Sequence, residues 1–201
     1  MLAWPGRRDK KDGINPCPPF FLTPPADEPV SLAESKHWLR VEHDADDALI
    51  GSLIVGARRE IELATRRVLV TQTWRIVLNC WPRAGRIVSP VNPLQGVEAV
   101  RVFDESGMPS ALDLEGFVLN TASLPGVIAL MPADVMQPGR VLAGIELDVM
   151  AGHGGAEDVP GPLVQALRLL LAHRYEHRGD AFAAIPADVE RLIAPFRILS
   201  I

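Results

Sequence analysis

The sequence predicts an α+β fold: a helical bundle built from N- and C-terminal helices around a strand-rich middle section. An extended N-terminal arm precedes it and a C-terminal tail follows. Three observations predict this. Apolar residues recur at helical spacing in two stretches before residue 70 and in two after residue 159. Between them, apolar and polar residues alternate in short runs bounded by proline, glycine and aspartate. The stretch Asn15–Pro25 is too rich in proline for a helix, because proline lacks the N–H and disfavours helix in the residue before it.

The elements follow in order. Residues 1–28 form the arm, extended or polyproline-like. Phe20, Phe21 and Leu22 in such an arm need something to dock on. Two readings stay open: a flexible tail, or an arm lying on its own domain or on a neighbouring subunit. The first helix covers residues 31–41, since Ser31-Leu32-Ala33-Glu34 is a capping box. The second covers residues 45–67. Asp44, Asp46 and Asp47 suit its positive end, and Leu49, Ile50, Leu53, Ile54, Ala57, Ile61 and Ala64 keep a helical period. Arg66 and Arg67 fall in its last turn, where cations are favoured.

Residues 70–150 are strand-rich. Val70 to Cys80 alternates and Trp81-Pro82 ends it. Short strands are expected at Arg86–Ser89, Val97–Phe103, Phe117–Asn120, Val127–Leu130 and Val141–Met150, with Asp104-Glu105-Ser106-Gly107 as a turn. A third helix covers residues 161–178, with Pro162 in its first turn and Leu163, Leu167, Leu170 and Leu171 on one face. A fourth covers residues 186–195, with Ile185, Val189, Leu192, Ile193 and Phe196 apolar. Residues 196–201 are an apolar tail.

Composition narrows the function classes. The 201 residues are 48% hydrophobic and 22% charged, which is ordinary globular material. A net charge of −5 and only 5% aromatics argue against a dedicated nucleic-acid binder, which normally shows a basic face. They do not argue against a wall that DNA merely slides past. Cys17 and Cys80 make no disulfide framework and fit a reducing compartment. No apolar core follows the first charges as in a signal peptide, and no run is long enough to span a bilayer. The expectation is a product of the cytoplasm with no membrane role.

The chemistry-bearing residues form no convincing catalytic set. His173 and His177 are four apart on one helix, a spacing that can hold a metal. The sequence between them is Arg-Tyr-Glu, which places the glutamate differently from a zincin base, and no third ligand is evident. His43 with its neighbouring aspartates lacks the glycine and distal glutamate of a calcium loop. Gly152-His153-Gly154-Gly155 precedes a helix but lacks a phosphate-binding lysine. No Gly-x-Ser-x-Gly elbow occurs. Arg58, Arg59, Arg66 and Arg67 could touch nucleic acid, but Glu60 and Glu62 between them favour a solvated or intersubunit face.

Two blocks carry a family resemblance. The first is Pro29-Val30-Ser31-Leu32-Ala33-Glu34-Ser35-Lys36 through Leu39-Arg40-Val41, Asp46-Asp47-Ala48-Leu49-Ile50, Ala57-Arg58 and Ile61-Glu62 to Thr71-Gln72-Thr73-Trp74. The second is Ala151-Gly152-His153-Gly154, Val159-Pro160-Gly161-Pro162-Leu163 and Leu170-Leu171-Ala172-His173-Arg174-Tyr175-Glu176-His177-Arg178, then Ile185-Pro186 and Pro195-Phe196-Arg197. Together, over residues 29–197, they resemble the head–tail connector (adaptor) family of long-tailed phages, prophages and gene transfer agents. The proline-rich arm departs from that family's compact start.

The resemblance implies a structural virion protein, not an enzyme, and no cofactor. It implies a homo-oligomeric ring, commonly twelve-fold, docked beneath the portal protein. Such a ring extends the channel through which DNA passes without sequence-specific contact. It also presents a platform to a downstream stopper or tail-terminator protein. The tail residues Phe196, Arg197, Ile198, Leu199 and Ile201 would reach the portal, and Glu60, Glu62, Glu146 and Asp148 are candidates for the channel wall. Two other classes stand beside it: a metal-dependent hydrolase using His173 and His177, and a DNA-binding module using helix 45–67.

Overall fold

The computed structural model describes residues 18–131, 135–179 and 184–198. These fall into two compact units. One holds the segment up to Pro24 together with Gln72–Gly152, and the other holds Pro25–Thr71 with His153–Leu199.

The sheet unit contains β1 (Phe20–Thr23), β2 (Gln72–Leu78), β3 (Arg86–Val88), β4 (Leu94–Phe103), β5 (Pro109–Ala111), β6 (Val118–Asn120), β7 (Val127–Ala129) and β8 (Ile145–Ala151). A five-stranded antiparallel sheet runs β1-β2-β8-β4-β5, and a three-stranded one runs β3-β7-β6. The central strand β8 alternates in chemistry, so its two faces differ. Ile145, Leu147 and Val149 are fully buried beside Ile76, Leu78, Val100 and Val102. The opposite face carries Glu146 and Asp148, aligned with Arg101 and Arg75.

Two strands were not expected: β1 and β5 are four and three residues long and exposed throughout, too short for a period to register. The strand expected from Val141 begins instead at Ile145. Ala143 takes a left-handed φ of 52° while its N–H donates to Asn79 Oδ1, and Val141 and Leu142 stand 86% and 69% exposed. A left-handed residue cannot continue a ladder.

The helical unit holds α1 (Leu32–Leu39), α2 (Asp47–Thr65), α3 (Gly161–Glu176) and α4 (Ala187–Ile193). The capping box at Ser31 is complete, with both reciprocal hydrogen bonds to Glu34 present. Left-handed Arg40 ends α1, and its N–H and that of Val41 close back on His37 and Lys36. Left-handed Arg66 likewise ends α2 at Thr65, so Arg66 and Arg67 lie beyond the last turn rather than in it.

The core of this unit follows the helical period. Ile50, Ile54, Ala57 and Ile61 of α2 meet Leu163, Ala166, Leu167, Leu170 and Leu171 of α3, with Val189 and Ile193 of α4. Each of the buried leucine, isoleucine and valine side chains among them contributes about 1.5–3 kcal/mol. The turn before α3 needs glycine at position 154. Its φ is 135°, and a Cβ there would run into the Asp158 carboxylate, which accepts from the Gly155 N–H.

Candidate functional site

The tail residues that the structure describes are fastened to the helical unit. Phe196 closes a 3-10 turn after α4, and its carbonyl accepts from Arg67 Nε at 2.6 Å. The Arg67 guanidinium sits 5.6 Å from the Phe196 ring centroid, within cation–π range. The Ile198 N–H donates to the Thr65 carbonyl at 3.0 Å. Arg197 is exposed and faces Glu190 at 3.8 Å. Leu199 and Ile201 lie outside the described residues.

The arm residues pair with their own chain. Phe20 stands opposite Arg75 and Phe21 opposite Trp74, with a bulge at Leu22. The Phe21 and Trp74 rings meet edge to face at 5.2 Å. Even so, Phe20, Phe21 and Leu22 remain 48%, 38% and 40% exposed, a bare apolar edge.

The charged candidates need correction. Arg58 is not on a nucleic-acid face: it is 2% exposed and bonds Glu28 at 2.7 Å and Glu62 at 2.9 Å. Burial opposes its charge, but the two carboxylates outweigh this and hold its pKa above the usual arginine value. Glu62 also accepts from the Leu69 N–H, so it too is interior to the chain. Asp148 is likewise buried. Burial alone would raise its pKa, yet hydrogen bonds from Arg75 and Arg101 hold it below the ordinary carboxylate range. Glu146 joins the same cluster 3.0 Å from Arg75, and Glu60 pairs with Arg174 at 2.6 Å. All four acidic candidates therefore spend their charge inside the chain.

The aspartates before α2 also act through side-chain partners. Lys36 bridges Asp44 at 2.6 Å and Asp47 at 2.7 Å. Asp46 occupies the N-cap position without capping, and accepts from the Tyr175 hydroxyl at 2.5 Å instead. His173 and His177 stack with centroids 4.3 Å apart, and His177 Nδ1 lies 2.9 Å from the His173 carbonyl oxygen. Among the described residues no group of three His, Cys, Asp or Glu is gathered to hold a metal. None of their helices is long and apolar enough to cross a membrane.

What distinguishes the surface is apolar exposure. Leu32, Trp38 and Leu63 are the exposed large hydrophobics of the helical unit among the described residues. The sheet unit exposes Val88, Met108, Val118, Leu119, Leu124, Met131, Met136, Val141 and Leu142 besides its arm. Where such residues adjoin in a contiguous apolar patch, they mark a protein contact site.

Residues 29–102 match the family of phage gp6-like head–tail connector proteins. The whole fold matches the neck of an empty gene transfer agent (GTA) particle computed with C6 symmetry. That match has a TM-score of 0.75 at 29% identity, over 91% of this chain and 96% of that one. A native GTA virion matches with a TM-score of 0.73 at 28% identity, over the same shares of both chains. This is the fold of a GTA neck protein. A third match is the neck of a native GTA particle computed with C12 symmetry, with a TM-score of 0.72 at 29% identity over 91% and 96%. The comparison with curated proteins returns no match. These relatives are structural neck components, and the comparisons support a structural connector role in a particle neck.

Sequence reasoning missed the buried ion pairs of this chain. The Arg58–Glu62 spacing of four was a usable signal, because oppositely charged residues so placed share a helix face. Nothing local pointed to Glu28, thirty residues away from Arg58.

Proposed function

We propose that this chain is the ring-forming head–tail connector of a gene transfer agent or phage-like particle. Twelve copies dock beneath the portal protein, extend its DNA channel, and receive a stopper or tail-terminator protein below. The carrying observation is the match in fold and sequence, over 91% of the chain at 29% identity, to a GTA neck protein. The C12 neck supports the copy number, and the exposed apolar surface of the sheet unit supports a protein that works only in assembly.

The tail makes the portal contact in this proposal. Phe196 and Ile198 anchor its base to the end of α2, and Arg197 to Ile201 supply the binding residues. DNA passes without specific contact, as the net charge of −5 suggests. The test is native mass spectrometry of the chain mixed with its portal ring. A complex with twelve copies is expected, and removing residues 199–201 should abolish it without unfolding the chain. No portal complex from the intact chain would overturn the proposal.

A further inference from the structure

The edge of the five-stranded sheet opposite β1 is incomplete. β5 covers β4 only from Arg101 to Phe103, with one further bond from the Leu112 N–H to the Val100 carbonyl. Val97 and Ala99 pair with β8 on their inner side, and Glu98 bulges between them. Among the described residues no strand covers their outer side. An open groove of about 480 Å³ runs along this edge, lined by Glu98, Val100, Ala111, Leu112, Asp113 and Leu114, among others. Its floor is apolar, and its rim carries Glu98, Asp113 and Arg101, the last already paired with Asp148 at 2.6 Å. Glu98 is exposed, and among the described residues it joins no ion pair, while the Asp113 carboxylate accepts from the Glu115 N–H.

The chain carries a segment of matching chemistry. Leu2-Ala3-Trp4 is apolar, and Arg7, Arg8, Lys10 and Lys11 follow. Gly6 to Asn15 contains no proline, so every residue there has an N–H to give to a strand edge. This segment is rooted at β1, the opposite edge of the same sheet. In a head-to-tail ring each copy presents one surface to the next copy and a different surface to the one before. From Lys11 to Phe20, an extended chain at about 3.3 Å per residue reaches roughly 30 Å, more than the width of five strands at about 4.8 Å spacing.

We infer that, in the ring proposed above, the basic segment Arg7–Lys11 of one copy docks along the Val97–Ala99 edge of the next, with its cations against Glu98 and Asp113. The docking links neighbours by strand addition and rests on the ring reading. Rings are assembled on the portal from equal parts of unlabelled and 15N-labelled chain, then treated with a zero-length carbodiimide crosslinker. Peptides joining Lys10 or Lys11 to Glu98 or Asp113, and containing one heavy and one light partner, are the expected product. Arg7→Glu with Arg8→Glu should abolish that product while leaving both lysines available. Joined peptides of a single isotope only would overturn the exchange between copies. A twelve-copy ring without any such peptide would overturn the docking itself. Failure of the wild-type chain to form a ring would instead overturn the connector reading, and this inference with it.

Discussion

The helical unit and the sheet unit solve the burial problem differently. In the helical unit nearly every large apolar side chain has found a place, and the buried charge of Arg58 is matched by Glu28 and Glu62. In the sheet unit the Ile145-Leu147-Val149 row is as deeply buried, yet a long series of valines, leucines and methionines stays in solvent. The first unit is closed on itself. The second keeps apolar side chains in solvent. In the ring proposed above, the folding core and the assembly surface are thus divided between two parts of one chain.

Substitutions should respect that division. The largest effect belongs to Arg58→Ala, which removes the buried guanidinium that Glu28 and Glu62 both bind and should cost about 3–5 kcal/mol. Chemical denaturation measures it, and an unchanged midpoint would break the claim that this unit is closed around its ion pair. Leu167→Ala should follow at about 2–5 kcal/mol, since the side chain is fully buried and leaves a cavity.

Asp148→Asn probes the charged face of the sheet. A carboxylate with a depressed folded pKa stabilises fully above its unfolded value, near 3.9, and loses that contribution as pH falls through the folded one. Wild type should therefore exceed the variant in stability at pH 7, and the gap should narrow below about pH 4. A gap independent of pH would show that the arginines do not act through the charge of Asp148.

Ser31→Ala removes half of the capping box and should cost about 0.5–2 kcal/mol, read as a lowered unfolding midpoint. Val118→Ser should be the mildest, within about 0.5 kcal/mol on the free chain because the residue is exposed. Its effect should surface as weaker incorporation into the neck.

The same division explains what the sequence made legible. The α2 and α3 stripes and the Ser31 box are local patterns, readable from spacing alone. So was the alternation of β8 from Ile145 onward. What stayed hidden depended on distant partners. Glu28 finds Arg58 across thirty residues, and Phe20–Thr23 becomes a strand only because β2 offers an edge. Asp148 looked like an outward-facing polar position. Its burial follows from two arginines on two other strands closing over it. The tail pattern showed apolar residues but not that Arg67 clasps the Phe196 carbonyl.

The central claim is that the uncovered sheet unit is an assembly surface, and the methionines there report on it directly. Met108, Met131 and Met136 are 65%, 67% and 52% exposed in the single chain. Peroxide oxidation, read by peptide mass, is to be compared between the free chain and purified complete necks. The account predicts rapid oxidation of these residues in the free chain and strong protection in the neck. Equal oxidation in both would contradict it, because the surface would then stay open to solvent in the assembled particle.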